Sequence, residues 1–247
     1  MTGQRPVPLL ETCELTMRFG GVLAINRVNF RLEEMELRCL IGPNGAGKST
    51  LFKCLTGQHA PSAGTVRFRG RDITGALPHQ IARLGIGIKT QIPNVFNGLD
   101  VWENIRLAAV RGAKRKLRGT VTRTIDEVMS RLDLAALSDR VVGTLAHGQR
   151  QLVELAVVLA GAPAVMLLDE PSAGMTNEET ARTAVILREI NRTTALIVVE
   201  HDMQFVKMIA HTITVFHQGT ILMEGPVAAV MADPTVRDVY LGRRVAA

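Results

Sequence analysis

Residues 42 to 50 read Gly42-Pro43-Asn44-Gly45-Ala46-Gly47-Lys48-Ser49-Thr50, the pattern G-x-x-x-x-G-K-[ST] of a loop that wraps phosphate. The glycines let the backbone close on an anion. Backbone N–H groups and the N-terminus of a following helix supply partial positive charge, and Lys48 supplies a full one. The Ser49 hydroxyl is then placed to hold Mg²⁺. A second group of residues offers acid–base chemistry. The apolar run Ala164 to Leu168 delivers Asp169 and Glu170, with Asp169 suited to hold Mg²⁺ through water and Glu170 to orient and deprotonate an attacking water. Pro171 biases Glu170 away from helix, toward an extended strand end. Alone, an acidic pair after a strand is an ordinary cap or loop. Beside a phosphate loop it reads as the metal ligand and base of a nucleotide hydrolase.

These groups need a scaffold that brings them to one place. The dominant texture is short apolar runs ending in Gly or acidic residues, each followed by a helical pattern, as in α/β sheets. Glu36 to Ile41 precedes the Gly-rich loop, Ala164 to Leu168 precedes Asp169, and Ala195 to Val199 precedes Glu200 and His201. In a parallel sheet all three deliver polar groups to the C-terminal edge, where ligands bind. Ahead of them, Leu9 to Phe19 and Val22 to Leu32 read as strands joined by a Gly20-Gly21 turn, and Thr65 to Phe68 extends that β region. The helix after the phosphate loop runs to Gly57. Between about Lys89 and Ala160 the periodicity turns helical over Val101 to Val110, Thr120 to Leu132 and Gln149 to Ala160, so a helical insertion is expected.

The chain has 247 residues, 47% apolar and 21% charged, enough to bury a sizeable core and unlike disordered, collagen-like or low-complexity sequences. The longest apolar region, Leu155 to Leu168, is broken by Gly161 and Pro163 and falls short of the ~20 residues of a membrane-spanning helix. Met1 to Glu14 shows no charged segment followed by an apolar stretch, so a cytosolic location is expected. Cys13, Cys39 and Cys54 lack paired spacing and are expected as reduced thiols. A net charge of +6 suits nucleotide, nucleic acid or anionic lipid alike.

Three further elements specify the kind of phosphate-loop protein. Gln91 sits where the first lobe hands over to the insertion, Leu145-Ala146-His147-Gly148-Gln149 opens a helix within it, and His201 follows the third strand. In this order the motifs resemble those of the ATP-binding-cassette (ABC) ATPases: phosphate loop, Q-loop glutamine, LSGGQ-like signature, acidic pair and switch histidine. The resemblance covers about residues 9 to 242. It implies an α/β fold with a RecA-like parallel-sheet core, an N-terminal antiparallel β region and a helical subdomain. The domain is expected over residues 7–242, with the core at 7–88 and 161–242 and the helical part at 89–160. It further implies ATP and Mg²⁺ as ligands and a head-to-tail pair with a second cassette. In that pair, Ala146, His147, Gly148 and Gln149 of one chain face the nucleotide held by Gly42, Asn44, Gly45, Ala46, Gly47, Lys48, Ser49 and Thr50 of the other. Gln91 would sense Mg²⁺ and the γ-phosphate, and His201 would steady the attacking water. Phe19 would stack on adenine, the alternative being an ordinary hairpin core residue.

The sequence departs from the family pattern in two places. Ala146-His147 stands where Ser-Gly is usual, removing a hydroxyl that would donate to the partner's γ-phosphate and adding an imidazole. That imidazole either donates to the phosphate or packs away from it. In the D-loop, Ser172-Ala173-Gly174-Met175-Thr176, Thr176 replaces the acidic residue common at its end, which puts a cross-dimer hydrogen bond in doubt. Lys48, Asp169, Glu170 and His201 are all present, so ATP hydrolysis is expected.

Finer resemblance, in Ala173 to Thr180, Val199 to Met203, His217-Gln218-Gly219 and Asp238 to Gly242, is to ATP-binding subunits of bacterial branched-chain amino acid importers. His147 and Gln91-Ile92-Pro93 look closer to a urea-importing branch. By that resemblance the partners are two transmembrane permease subunits and a solute-binding protein, and the chain lies on the inner face of the cell membrane. Gln91 to Leu107, with Phe96, Leu99 and Trp102, would receive the permease, or else pack as core. The alternative class is a non-transport ABC ATPase acting on nucleic acid or ribosome, for which Arg111, Lys114, Arg115, Lys116, Arg118 and Arg123 supply a basic run. That run reads equally as a solvated face, no tandem cassette or long coiled coil accompanies it, and no specific nucleic-acid partner is expected.

Overall fold

The computed structural model describes residues 7–91, 94–112 and 118–240. Two strands, β1 (Leu10–Phe19) and β2 (Val22–Leu32), form a hairpin whose turn places Gly20 at φ 56°, a left-handed conformation that glycine adopts at little cost. With β4 (Ala63–Phe68) and β5 (Arg71–Asp72) they make a four-stranded sheet in the order β2-β1-β4-β5, with β1 antiparallel to both β2 and β4. The expected N-terminal antiparallel region is therefore present.

The second sheet has six strands, adding β3 (Leu37–Ile41), β6 (Ile86–Lys89), β7 (Val165–Asp169), β8 (Ala195–Val199), β9 (Thr212–His217) and β10 (Thr220–Pro226) in the order β10-β9-β3-β8-β7-β6. All neighbours are parallel except the terminal β9–β10 hairpin. The buried strands read as unbroken apolar runs because both faces are covered. The alternation is still visible in which core each residue joins: Met166 and Leu168 face one cluster, Val165 and Leu167 the other, and the same split recurs between Leu196, Val198 and Ala195, Ile197, Val199. One face packs on helix α1 (Lys48–Leu55) and the antiparallel sheet. The other meets the helices.

Those helices include α3 (Val101–Gly112), α4 (Arg118–Arg131) and α5 (His147–Ala160), lying between β6 and β7 as the helical insertion, whereas the short helix α2 (Pro78–Leu84) before β6 joins the α1 face through Ile81. After β7 come α6 (Asn177–Asn191), α7 (Met203–Ile209), α8 (Val227–Ala232) and α9 (Pro234–Tyr240). Ile105, Ala109, Ile125, Val128 and Met129 share one core with Val153, Leu155 and Ala156, which is how the three insertion helices hold one another. Among the described residues no helix is long and apolar enough to cross a membrane. All three cysteines are free thiols, and burial pushes Cys54 up to about 11.

Candidate functional site

Strand order converts distant sequence positions into neighbours. Asp169 at the end of β7 pairs with Val199 of β8, Val199 also pairs with Leu40 of β3, and Lys89 of β6 pairs with Leu168. The C-terminal ends of β6, β7, β8 and β3 thus lie side by side, carrying Gln91, Asp169-Glu170, Glu200-His201 and the phosphate loop.

The loop's shape depends on glycine at two positions. Gly42 has φ 146° and its backbone lies against the Phe216 carbonyl, where a Cβ would collide. Gly47 has φ 110°, and a Cβ there would lie 2.8 Å from the Ala24 carbonyl. Gly219 in the β9–β10 turn supports the loop by donating to Ala46 (2.9 Å) and accepting from Asn26 (2.8 Å). Gly47 begins α1 with no side-chain cap and no acidic residue in the first turn, so the helix N-terminus is left to an anion. Lys48 Nζ donates to the Gly42 and Pro43 carbonyls at 2.6 and 3.0 Å. Burial lowers the Lys48 pKa, while Glu170 and Asp169 pull it back up, so an arriving phosphate would relieve a cation short of solvent. Asn44 and Gly45 are exposed on the loop, Ser49 is exposed in the first turn of α1, and Thr50 beside it is half-buried.

Glu170 is where the catalytic candidates meet. Its Oε2 accepts from Gln91 Nε2 at 2.9 Å, across 79 residues of sequence, and its Oε1 lies 3.3 Å from His201 Nδ1. The expected extended conformation at Glu170 is corrected. The residue has φ 46°, a left-handed geometry that costs a non-glycine residue of order 1 kcal/mol. Its N–H bonds the Val199 carbonyl and its own carbonyl accepts from Ala173, so sheet and D-loop together enforce the turn that a bias from Pro171 could not reveal. Behind it, buried Glu200 accepts from Ser172 N and Oγ (3.1 and 2.6 Å) and from the His201 N–H (3.1 Å). This carboxylate braces the loops on both sides of the site.

Asp169 sits beside Glu170, and burial first, then the Glu170 charge, push its carboxyl above the usual range against the pull of Lys89 and Lys53. A divalent cation would reverse that penalty. Among the described residues no three His, Cys, Asp or Glu side chains cluster as a metal site. Mg²⁺ does not need such a cage, since it takes one or two carboxylates together with substrate phosphates and water. The oxygen donors of Asp169 and Ser49 fit that chemistry.

The signature lies at the start of α5. Ala146 and His147 are exposed and Gly148 is buried, close against the Glu179 carboxylate, which a Cβ there would displace. Gln149 Oε1 accepts from Ala146 N at 3.1 Å. His147 Nε2 lies 3.2 Å from the Ala173 carbonyl and 3.2 Å from Gln151 Nε2. Among the described residues, its hydrogen bonds run to its own chain's D-loop and α5, and none to the phosphate loop. Thr176 caps α6 by accepting from Glu179 N, with Glu179 bonding back to Thr176 N. The residue that departs from the family pattern is therefore spent on a local helix cap.

The family described as ABC transporter matches residues 25–173. The chain is 35% identical to the high-affinity branched-chain amino acid transport ATP-binding protein BraF of Pseudomonas aeruginosa, over 95% of this chain and 98% of the relative. It belongs to the ABC transporter family. A second relative, the corresponding protein LivG of Escherichia coli strain K12, is 35% identical over 95% of this chain and 98% of its own. Among solved structures, the ADP conformation of the cassette MJ1267 superposes with a TM-score of 0.82 at 26% identity, covering 96% and 99% of the two chains. CbiO1 from Clostridium perfringens, part of a cbiONQ transporter complex, gives 0.84 at 26%, covering 95% of each. The cassette is thus an ATP-binding ATPase of a transporter, and the expected α/β fold with its two sheets is that of the family.

Within the cassette, Phe19 is 43% exposed at the end of β1 and meets His59 edge-on at 5.3 Å. It is not an interior hairpin residue. Three charged residues at the heart of the site region were not singled out as functional from the sequence: Glu200, Lys89 and Glu154. For the last two a signal exists, namely a charge inside an otherwise apolar strand or helix. Of the basic run, residues 113–117 lie outside the described part, and Arg123 pairs with Glu127 at 3.6 Å on an exposed helix face.

Because Ala146 occupies the N-cap of α5 without a side-chain acceptor, Ala146→Ser should add a cap worth about 1 kcal/mol. A rise in melting temperature of about 2–4 °C is expected. An unchanged or lower value in differential scanning fluorimetry would show that the hydroxyl finds no N–H there.

Proposed function

We propose that this cassette powers an importer of branched-chain amino acids by hydrolysing MgATP between its phosphate loop and the signature of a second cassette. The single observation that carries the catalytic part is the convergence of Gln91 and His201 on Glu170 beside the phosphate loop. The cargo rests on the full-length likeness to BraF and LivG, and neither relative supports the urea lean of His147 and Gln91-Ile92-Pro93.

On this reading the loop N–H groups and Lys48 bind the β- and γ-phosphates, and Phe19, open to solvent at the end of β1, stacks on the adenine. Ser49 and Asp169 would hold Mg²⁺, with Gln91 near it. The metal, when bound, supplies charge neutralisation at the phosphates. Glu170 accepts a proton from the water that attacks the γ-phosphorus, giving ADP and phosphate, while His201 fixes the direction of its carboxylate. Ala146, His147, Gly148 and Gln149 face the partner cassette, where the free N–H groups of the uncapped α5 are the phosphate donors. Phe96 (63% exposed) and, on α3, Leu107 (51%) are exposed apolar side chains within the expected receiving segment, suited to contact with a permease. Trp102 instead packs against the helical core. The cassette would then sit on the cytoplasmic face of the membrane, with two permease subunits and a solute-binding protein completing the system.

Two measurements test this reading. Phosphate release from ATP should require Mg²⁺ and stop on chelation, and uptake of labelled leucine by the native host should fall about tenfold or more when the chain is deleted. Metal-independent release would remove the Ser49–Asp169 assignment. Undiminished leucine uptake would remove the cargo.

A further inference from the structure

Lys89 and Glu154 are the most deeply buried ion pair among the described residues, with side chains 1% and 2% exposed and Nζ 3.4 Å from Oε2. Lys89 ends β6, two residues before Gln91. Glu154 sits mid-way along α5, whose first turn carries the signature. The other oxygen of the same carboxylate accepts from Asn94 N at 2.9 Å, three residues after Gln91. One side chain of the signature helix therefore grips the chain on both sides of the glutamine that bonds Glu170.

Fold stability by itself does not explain this arrangement. Taking two charges out of water cancels most of their attraction, and an apolar pair of similar volume commonly packs as well or better. Helix α5 is in any case held to β6 by close packing, since a Cβ on Gly87 would lie 2.6 Å from Val158 Cγ1. What apolar packing cannot supply is a directional link to the backbone beyond Gln91.

We propose that Glu154, through Lys89 and Asn94, is a positioning residue of the ATPase reaction that makes the Gln91 segment and the signature helix one mechanical unit. A shift of Gln91 when nucleotide binds on the phosphate loop beside Glu170 is then passed to the signature offered to the second cassette. This rests on the roles given above to Gln91 and the signature.

The test uses the full-length chain carrying Lys89→Met with Glu154→Leu, which removes both charges and the Asn94 acceptor together. Its melting temperature should stay within about 3 °C of wild type. ATP affinity should stay within about twofold, while kcat for phosphate release falls about tenfold or more. In a Glu170→Gln background, ATP-driven dimerisation should need about tenfold more ATP. The pair Lys89→Met with Glu154→Gln, whose amide oxygen still accepts from Asn94, should recover about a third or more of the wild-type kcat. Wild-type kcat and dimerisation in the first variant would overturn the proposal. So would a loss of more than about 5 °C in both variants, because the pair would then be a stability element. Wild-type protein and Gln91→Ala are measured alongside. Absent hydrolysis in the former, or undiminished kcat in the latter, would sink the underlying site reading instead.

Discussion

Glu170→Gln is expected to reduce phosphate release by ~10²-fold or more while leaving ATP binding intact. Glutamine keeps the length and one acceptor oxygen, so the contact with Gln91 can persist, but it cannot take a proton from water. With hydrolysis blocked, ATP should accumulate in a stable dimer of cassettes, visible as a doubling of mass in size-exclusion light scattering. The left-handed backbone at residue 170 supplies a control. Glu170→Gly removes the carboxylate but relieves the backbone strain, so it should be as inactive as Glu170→Gln and melt no lower. Near-normal turnover in either variant would remove Glu170 from the role of base.

Lys48→Ala should act one step earlier. Losing a charge-assisted hydrogen bond to phosphate costs about 1.5–3 kcal/mol, so ATP affinity should fall about ten- to a hundredfold. The nucleotide-free fold should change little, because burial already disfavours the ammonium there and its acceptors are carbonyls of the same loop. Fluorescent-nucleotide titration and a melting curve separate the two effects. Unchanged affinity would mean that the side chain stays folded onto Gly42 and Pro43 in the complex.

The two substitutions divide the site by the range of the forces that build it. Lys48 belongs to a contiguous motif whose conformation is set by glycines and by the helix that follows, so its task is visible in the letters. Glu170 belongs to an assembly drawn from three strand ends, and only part of its task is visible that way.

What the sequence determined by itself were the local features: the phosphate loop between a strand and α1, the hairpin of β1 and β2, the apolar strands ending in acids, and the helical stretch between β6 and β7. Each follows from residue types within about a dozen positions, where glycine's freedom, hydrophobic period and capping act directly. Motif order added the family. The tertiary structure alone decided which strand ends are neighbours, because a fully buried apolar strand carries the same pattern wherever it lies in a sheet. From that order came the meeting of Gln91 and His201 on Glu170, and the brace supplied by Glu200. Glu170's left-handed backbone was settled the same way, by bonds to Val199 and Ala173 from outside its own segment. The Lys89–Glu154–Asn94 link likewise needs α5 laid across β6, a contact between residues some sixty positions apart that no local propensity encodes.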